Sequence, residues 1–315
     1  VVLGFKIYEE EQKDLAISNA SQNKALAIFK KEFAQYAGMN QPRIKSIKLD
    51  LDLFPTDNFF KSEGVYQLRN ESNEIIDTFI VRTGFEELSS FTLNRGYQIV
   101  QENDYFKSSV VKLTQPLEPG DSIELSFSIQ NKENTLFERY SNVLKNGTFM
   151  LQDIFPRIGY ILDNEEKSPH TRNCRKNHAS ASDSDFIRFE AILSTSSDQT
   201  LLAPGHLLKE WTEGERNYFH YRTSAPMKYS LGFNSGHFQS VKEEYKGVGL
   251  EVHYYEGHDY NLNTMLSGLK SSLDYNTRHF GAYQHNQARI IEFPQTEGTF
   301  ATTYANNIPT SEVRF

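Results

Sequence analysis

The alternation of apolar and polar residues that begins after Pro42 limits what this chain can fold into more than any other feature of its sequence. From Ile47 to Leu53, within the stretch IKSIKLDLDLF, apolar side chains alternate strictly with Lys and Asp. Successive side chains of a strand point to opposite faces, so this pattern predicts a β-strand with one buried and one solvated face.

Further segments of the same kind follow, separated by turn sequences such as LEPGD and WTEGERN. They are GVYQLRN, IIDTFIVRT, SSFTLN, YQIVQEN, SSVVKLT, SIELSFSIQ, FIRFEAILSTS, QTLLAPG and NYFHYRTS. Many short strands at regular spacing predict a mainly β protein, with an antiparallel β-sandwich or saddle of sheets.

A helical pattern precedes the strands. Residues 7–36 contain no Pro or Gly, and Leu26, Phe29 and Phe33 recur at helical spacing on one face. Gly38 then suits a helix C-cap. We therefore expect an N-terminal helix that ends before the first strand.

The last part of the chain has a third pattern. A strand, LEVHYYEG, is followed by a helix from about Asn261 to Phe280 and by a second strand, ARIIEFP. This strand–helix–strand order predicts the opening unit of an α/β domain. In a unit truncated at this point, the strand edge near 286–294 has no partner, which predicts aggregation or pairing through that edge.

These patterns divide the chain into three parts. At 315 residues it is long enough for two domains, since single cores usually stop growing near ~250–300 residues. We expect a helical stalk or linker at 1–40, an antiparallel β domain at 41–241, and the truncated start of an α/β domain at 242–315.

The charge of the chain excludes one class of partner. The formal net charge is -8 and the sequence pI is about 5.7. Binding of DNA or RNA requires a concentrated basic surface that neutralises phosphates. No nucleic-acid partner is expected.

The first residues, VVLGF, leave two interpretations open. Five apolar residues cannot cross a bilayer, which requires about 20. They are either the last turn of a membrane helix whose remainder precedes Val1, or an ordinary packed terminus.

Two groups of side chains are candidates for a metal or catalytic site. His170, Cys174 and His178 have the spacing H-x3-C-x3-H and are residue types that zinc accepts, but the surrounding Pro, Ser and Asp residues favour a solvated loop with a free thiol. His253 and His258 lack further ligands nearby, and the strand alternation predicts that His253 points away from the core.

No other chemical motif is present. The sequence contains no H-E-x-x-H zinc helix, no G-x-S-x-G elbow and no phosphate-binding glycine loop. The single cysteine excludes an intramolecular disulfide and does not distinguish cytoplasm from periplasm. We expect no catalytic residue, no metal site and no cofactor within this chain.

The order of several stretches resembles the front portion of the M1 (gluzincin) aminopeptidase family, particularly bacterial members in which the peptidase-like part follows the membrane helices of an ABC-2 type transporter permease. The resemblance covers roughly residues 40–315 and implies that the α/β part is thermolysin-like. It is carried by QPRIKSIKLDLDLFP, NGTFMLQDIFPRIGY, FIRFEAILSTSSDQTLLAPG, NYFHYRTSAP, LEVHYYEGHDYN and HFGAYQHNQARIIEFP.

The resemblance also indicates a substrate-binding segment. In the family, a strand of the RIIEFP type leads into F-A-G-A-M-E-N, whose backbone cradles the peptide and whose Glu grips the free amino group of the substrate. Here residues 300–306 read FATTYAN. Phe300, Ala301 and Asn306 match the family motif, and the positions that differ from it are Thr302, Thr303, Tyr304 and Ala305.

The residue at the Glu position of the motif is therefore Ala305, whose side chain is a methyl group. An α-ammonium is selected by a charge-assisted hydrogen bond to an anion, which Ala305 cannot supply. Glu312 is a candidate replacement. A second amine-contacting position of the family, a Gln or Glu before an F-P motif, corresponds to Gln152 in LQDIFP, with a polar strand end as the alternative.

In the family the zinc helix follows further along, beyond the position of Phe315. The resemblance thus implies zinc for a full-length parent, peptide N-termini as ligands, the rest of the peptidase-like domain as a partner, and a membrane-anchored location on the periplasmic or outer face. Three functions stay open: a substrate-shaping portion that is catalytically silent by itself, part of a working zinc aminopeptidase, or a degenerate peptide- or partner-binding module.

Overall fold

The computed structural model describes residues 24, 26–83, 87–131, 143–160 and 185–315. It confirms a mainly β protein that begins with a helix and ends with a strand–helix–strand unit. The helices are α1, residues 26–33, and α2, Leu262–Phe280. The strands are β1 Arg43–Phe54, β2 Phe59–Arg69, β3 Ile76–Arg82, β4 Glu87–Leu93, β5 Tyr97–Asn103, β6 Ser108–Leu117, β7 Ser122–Asn131, β8 Thr148–Leu151, β9 Arg157–Ile158, β10 Phe186–Ser196, β11 Thr200–Leu202, β12 His206–Glu213, β13 Arg216–Arg222, β14 Met227–Lys228, β15 Gly232–Gly236, β16 Gln239–Tyr245, β17 Val248–Tyr254, β18 Gln287–Phe293 and β19 Asn307–Ser311.

The largest sheet has the order β12-β13-β10-β1-β2-β7-β4, with β14 also paired to β10. The predicted alternation in β1 is confirmed, because Ile47, Leu49 and Leu51 are buried while Lys48 and Asp50 are exposed. Most neighbouring strands are antiparallel, but β1 and β10 run parallel. Two smaller sheets, β5-β6-β3-β9 and β11-β15-β8, complete this β-rich part.

Helix α1 packs on the β-rich part. The predicted helix at 7–36 is present from residue 26 and continues into a 3-10 turn at Ala34–Tyr36, while residues 1–23 lie outside the described residues. Phe29 and Phe33 are buried against Ile80 and Val110. These turns of the helix therefore belong to the β-rich body, and the role of 1–40 as a stalk stays a prediction.

The C-terminal sheet has the order β16-β17-β18-β19. Its last three strands are parallel, and α2 connects β17 to β18. Leu266 and Leu269 of α2 pack on Leu250 and Val252 of β17. The strand–helix–strand prediction is thus confirmed.

Two details of the sequence interpretation are wrong in this sheet. The edge near 286–294 is not free, because β18 pairs in parallel with β19 from Arg289 to Phe293. His253 does not point to solvent, since it is only 4% exposed. Helix α2 covers one face of this sheet through Leu250 and Val252. The β-rich part contacts the opposite face, where Arg289 donates to Ala203 O and Gly205 O.

The described residues include no helix that is both long enough and apolar enough to cross a bilayer.

Candidate functional site

Residues 300–304 form a short antiparallel partner for β19. Thr302 N donates to Pro309 O at 3.0 Å, and Tyr304 N donates to Asn307 O at 2.8 Å. Phe300 O accepts from Ser311 N at 3.0 Å. The segment singled out by sequence is therefore an added outer strand of the C-terminal sheet, and we call residues 300–304 the edge segment.

The outer side of the edge segment is open. In this antiparallel register Thr302 and Tyr304 direct their N–H groups toward β19, so the N–H and C=O groups of Ala301 and Thr303 face the other way. Both residues are exposed. Within the described part of the chain these four backbone groups make no hydrogen bond.

The far end of the edge segment is fixed to the β-rich part. The ring of Tyr304 lies against Gly232 so closely that a Cβ atom at residue 232 would be 2.8 Å from Tyr304 Cε2. Burial raises the pKa of the Tyr304 hydroxyl. Ala305 packs against the large core of the β-rich part. The methyl group of Ala305, at the position for which the resemblance implies Glu, therefore makes a packing contact.

Asn306 has a structural role of its own. Its φ is 57°, in the left-handed region that Asn tolerates better than most residues. Its Oδ1 accepts from Gly205 N and its Nδ2 donates to Gly205 O, each at 2.8 Å. Its own carbonyl accepts from Arg289 N at 2.8 Å. The Asn306 side chain is buried, and both ends of its amide contact the β-rich part.

Gln152 is likewise engaged with backbone. Leu231 N donates to Gln152 Oε1 at 3.0 Å, while Gln152 N donates to Leu231 O at 3.1 Å. The oxygen that would accept from a substrate ammonium thus already accepts a hydrogen bond. Gln152 is hydrogen-bonded to Leu231, and the ring of Tyr304 contacts the next residue, Gly232. The structure therefore brings Gln152 and Tyr304 to neighbouring residues of one segment.

The carboxylate proposed as a replacement is also engaged. Glu312 Oε1 accepts from Gln295 N at 2.7 Å and so holds the turn that precedes the edge segment. The side chains that the resemblance suggests for amine binding thus make a packing contact or accept a backbone hydrogen bond. These side chains are Gln152, Ala305 and Glu312.

A buried charged network that sequence reasoning missed lies behind the edge segment. Arg289 is 1% exposed and donates to Ala203 O, Gly205 O and Asn307 Oδ1 at 3.1 to 3.3 Å. Its Nε lies 3.2 Å from Glu251 Oε2. A signal was available in the sequence, because Arg289 shares a strand face with the apolar Ile291 and Phe293.

Glu251 is held ionised in this network. Burial alone would raise its pKa, but the hydrogen bond from His253 and the charge of Arg289 outweigh burial and lower the pKa to about 2. His253 Nε2 lies 2.9 Å from Glu251 Oε2. Burial lowers the pKa of His253 more than the carboxylate raises it. The network joins the C-terminal sheet to the β-rich part.

His253 and His258, the two histidine candidates that the structure describes, do not share a site. His253 pairs with Glu251, whereas His258 pairs with Glu292. The residues that the structure describes contain no group of three or more His, Cys, Asp or Glu side chains arranged to hold a metal ion. The trio around Cys174 lies outside the described residues.

Comparison with known proteins gives matches to structures alone. No protein-family model matches the chain. No curated protein matches it in sequence. The M1 zinc metallopeptidase from Deinococcus radiodurans aligns with a TM-score of 0.62 at 13% identity, over 88% of this chain and 62% of that one. A mutant of that protein bound to a Tyr-Ser-Ala substrate aligns with a TM-score of 0.63 at 12% identity and the same coverage.

The chain has the fold of the M1 zinc metallopeptidases. A further mutant structure of the Deinococcus protein agrees, with a TM-score of 0.61 at 14% identity. The β-rich architecture is consistent with the N-terminal β domain of M1 peptidases, and this chain spans 62% of the length of these M1 structures. The likeness establishes the M1 fold, while activity and ligands belong to the proposals below.

Proposed function

We propose that this chain is the substrate-shaping and recognition portion of an M1 zinc metallopeptidase-like protein and is not catalytic by itself. One observation carries the proposal: the outer backbone of the edge segment is open, whereas the nearby side chains expected to grip a substrate amine are absent or engaged. A peptide can therefore be held here through its backbone without the chemistry of an aminopeptidase.

The missing anion is the physical reason for expecting no aminopeptidase selectivity. A charge-assisted hydrogen bond to an ammonium requires an anion at the position that faces it. Position 305 is a packed methyl group and carries no charge. Glu312, the candidate replacement, is held in the preceding turn by the hydrogen bond that its Oε1 accepts from Gln295 N.

A second candidate function is a peptide- or partner-binding module in a protein that is not an enzyme at all. The specific observation in its favour is the packed Ala305, because an uncharged residue at this position cannot supply the anion that aminopeptidase selectivity requires. The two candidates differ in the parent protein, which carries a zinc site in the first and none in the second.

We also propose that the parent is attached to a membrane, as part of an ABC-2 type permease, with this portion on the periplasmic or outer face. The support is the resemblance to bacterial permease-fused members. Hydrophobic spans encoded upstream of Val1 are expected, and a parent gene without them would contradict the membrane attachment.

Zinc content and peptidase activity test the proposed function. We expect this chain to bind no stoichiometric zinc by mass spectrometry and to release no p-nitroaniline from leucine p-nitroanilide. Stoichiometric zinc with turnover in this chain would overturn the proposal. The same assays on a version extended past Phe315 separate the candidates: zinc and cleavage favour the substrate-shaping portion of an enzyme, whereas absence of both favours the binding module.

A further inference from the structure

We propose that the contact between β12 and β18 is a pH-sensitive junction, which loosens when His206 and His285 take up protons and so releases the end of the edge segment. The junction consists of Gly205 and His206 at the start of β12, of Gln287 and Arg289 in β18, and of His285 two residues before β18. The inference goes beyond the proposed function and does not depend on it, because it concerns how the two parts of this chain hold together.

Two basic side chains share one acceptor atom in the junction. His206 Nδ1 lies 3.3 Å from Gln287 Oε1, and Arg289 Nη2 donates to the same oxygen at 2.5 Å. His206 Nε2 lies 3.0 Å from Ser224 Oγ. Both oxygens can accept, so hydrogen bonding alone permits a protonated His206 ring. A charged ring would nevertheless lie beside the guanidinium of Arg289, which is always charged.

His206 and His285 lack the partner that four other described histidines have. The histidines that pair with a carboxylate are His220, His237, His253 and His258. In the described part of the chain His206 contacts the uncharged Gln287 and Ser224. His285 Nδ1 is shielded from solvent and has no hydrogen-bond partner among the same residues. A proton taken up by either ring is therefore not neutralised locally.

The nearest carboxylate, that of Glu251, is already shared. Its Oε2 lies 3.2 Å from Arg289 Nε and 2.9 Å from His253 Nε2. Its Oε1 accepts from Gln287 Nε2 at 3.3 Å. A further positive charge at His206 or at His285 would thus compete for an anion that already faces two basic groups.

The other groups around the junction do not supply the missing negative charge. Burial raises the pKa of Tyr221 and of Tyr283 to about 12, so both hydroxyls stay neutral. The residues of α2 that line the cavity beside His285 are uncharged. The charged side chains of neighbouring strands are Arg222 of β13, opposite His206, with Lys242 of β16 and Glu210 of β12, which act on the network from further away. Among these groups and Arg289 with Glu251, the cations outnumber the carboxylates before either histidine is protonated.

Protonation of the two rings is therefore favoured in the open form. Burial and the charge of Arg289 lower the pKa of His206 against the opposing hydrogen bond with Gln287. Burial and the charge of His206 lower the pKa of His285. Because the open form binds protons that the closed form does not, opening becomes more favourable as the pH falls below about 6.5. The equilibrium changes by up to about tenfold per pH unit for each proton taken up.

Gly205 connects the junction to the edge segment. Its N–H donates to Asn306 Oδ1 and its carbonyl accepts from Asn306 Nδ2, each at 2.8 Å. Arg289 Nη1 donates to the same carbonyl at 3.1 Å. Separation of β12 from β18 breaks these contacts, so the end of the edge segment loses its attachment to the β-rich part.

Hydrogen exchange of the Gly205 amide reports the state of the junction, because this N–H donates across it. Exchange is followed by NMR between about pH 7 and about pH 5 and expressed as a protection factor, which removes the intrinsic pH dependence of exchange. Asn70 N, which donates to Asp121 O at 2.9 Å within the β-rich part, is the internal reference. We expect protection of Gly205 to fall by at least about threefold relative to Asn70. An unchanged ratio, including an equal loss at both amides, overturns the inference.

The double variant His206→Gln/His285→Gln removes both titrating rings and keeps side chains that form hydrogen bonds. We expect it to lose at least about half of the pH response of Gly205 on a logarithmic scale, with His253 as the source of any remainder. His220→Gln is the matched control, since His220 of β13 pairs with Glu190 of β10 and not with the C-terminal sheet. It should keep the full response. A full response in the double variant overturns the inference.

Gln287→Glu tests the charge argument in the opposite direction, and it decides the question if the double variant does not fold. A carboxylate at residue 287 would lie beside both Arg289 and His206 and would favour the protonated ring. We expect the midpoint of the His206 ring titration, measured by NMR, to rise by at least about 1 pH unit, and Gly205 to keep more of its protection at low pH. An unchanged midpoint in the folded variant would show that charge does not control the junction.

Discussion

The side chain of Asn306 and the backbone of Gly205 form two reciprocal hydrogen bonds, each 2.8 Å long. Gly205 immediately precedes β12, while Asn306 immediately precedes β19. The pair therefore joins the edge of the large sheet to the edge of the C-terminal sheet.

Replacement of Asn306 should destabilise the fold. Asn306→Ala leaves the N–H of Gly205 unpaired and removes one of the two hydrogen bonds to its carbonyl oxygen, which keeps the bond from Arg289. Alanine also tolerates a φ of 57° less well than asparagine does. We expect a loss of about 2–5 kcal/mol in the free energy of unfolding, measured by urea denaturation. Asn306→Gly loses the same hydrogen bonds without the backbone strain and should lose less. A change below about 0.5 kcal/mol for the alanine variant would contradict this role.

The contact between Gly232 and Tyr304 should appear as energetic coupling. A Cβ atom at residue 232 would meet the Tyr304 ring at 2.8 Å, so Gly232→Ala should cost roughly 1–3 kcal/mol. Tyr304→Ala removes the obstacle. The double variant should therefore lose less than the sum of the single variants, by about 0.5–3 kcal/mol in a double-mutant cycle. Additive losses would mean that the ring does not occupy this position in solution.

Helix α1 should contribute to the stability of the β-rich part. Phe33 is fully buried, with a relative exposure of 0%, and Phe33→Ala should lower the free energy of unfolding by about 3–5 kcal/mol. Ile28, on the same helix, is 44% exposed, and Ile28→Ala is the matched control with an expected change of about 0.5 kcal/mol or less. Similar small effects for both variants would indicate that the helix is not docked.

Stability should fall on mild acidification because of His253. Burial is the main cause that lowers the pKa of His253 in the folded state. The charges of Arg289 and Lys242 lower it further, while Glu251 opposes them by favouring the protonated ring. Below about pH 6.5 the unfolded chain takes up a proton that the folded chain does not, so the free energy of unfolding decreases as the pH falls toward the folded pKa. The decrease is at most about 1.4 kcal/mol per pH unit for this group.

The variant His253→Gln isolates this contribution, since His206 and His285 also have lowered pKa values from burial and act in the same direction. Chemical denaturation between about pH 7.5 and about pH 5 should give a shallower pH dependence for His253→Gln than for the unmodified chain. His279→Gln, on an exposed part of α2, is the control. An unchanged slope in His253→Gln would contradict the proposed titration.

The parts of the fold that sequence predicts correctly are those specified by local pattern. Alternation of apolar and polar residues predicts β1, because one of its faces is buried and the other is solvated. Apolar residues at helical spacing predict α2, because one side of this helix is buried. By contrast, β12 and β16 are missed, since edge strands are mostly exposed on both faces and carry no alternation.

The errors around the candidate site arise from tertiary contacts. Alternation along its strand predicts that His253 faces solvent, but the β-rich part covers that face. The pairing of β18 is missed because its partner β19 contains Pro309, which weakens a strand prediction. The resemblance singles out the edge segment and implies that a carboxylate is missing at residue 305, which stays a prediction. Only the fold shows that Gln152 and Asn306 make structural contacts.

Amide hydrogen exchange at residues 301–304, measured by NMR, tests most directly the claim that the edge segment is paired on one side and open on the other. We expect slow exchange at Thr302 and Tyr304, which donate to β19, and fast exchange at Ala301 and Thr303. Uniformly fast exchange at all four residues, or slow exchange at Ala301 and Thr303, would contradict the account.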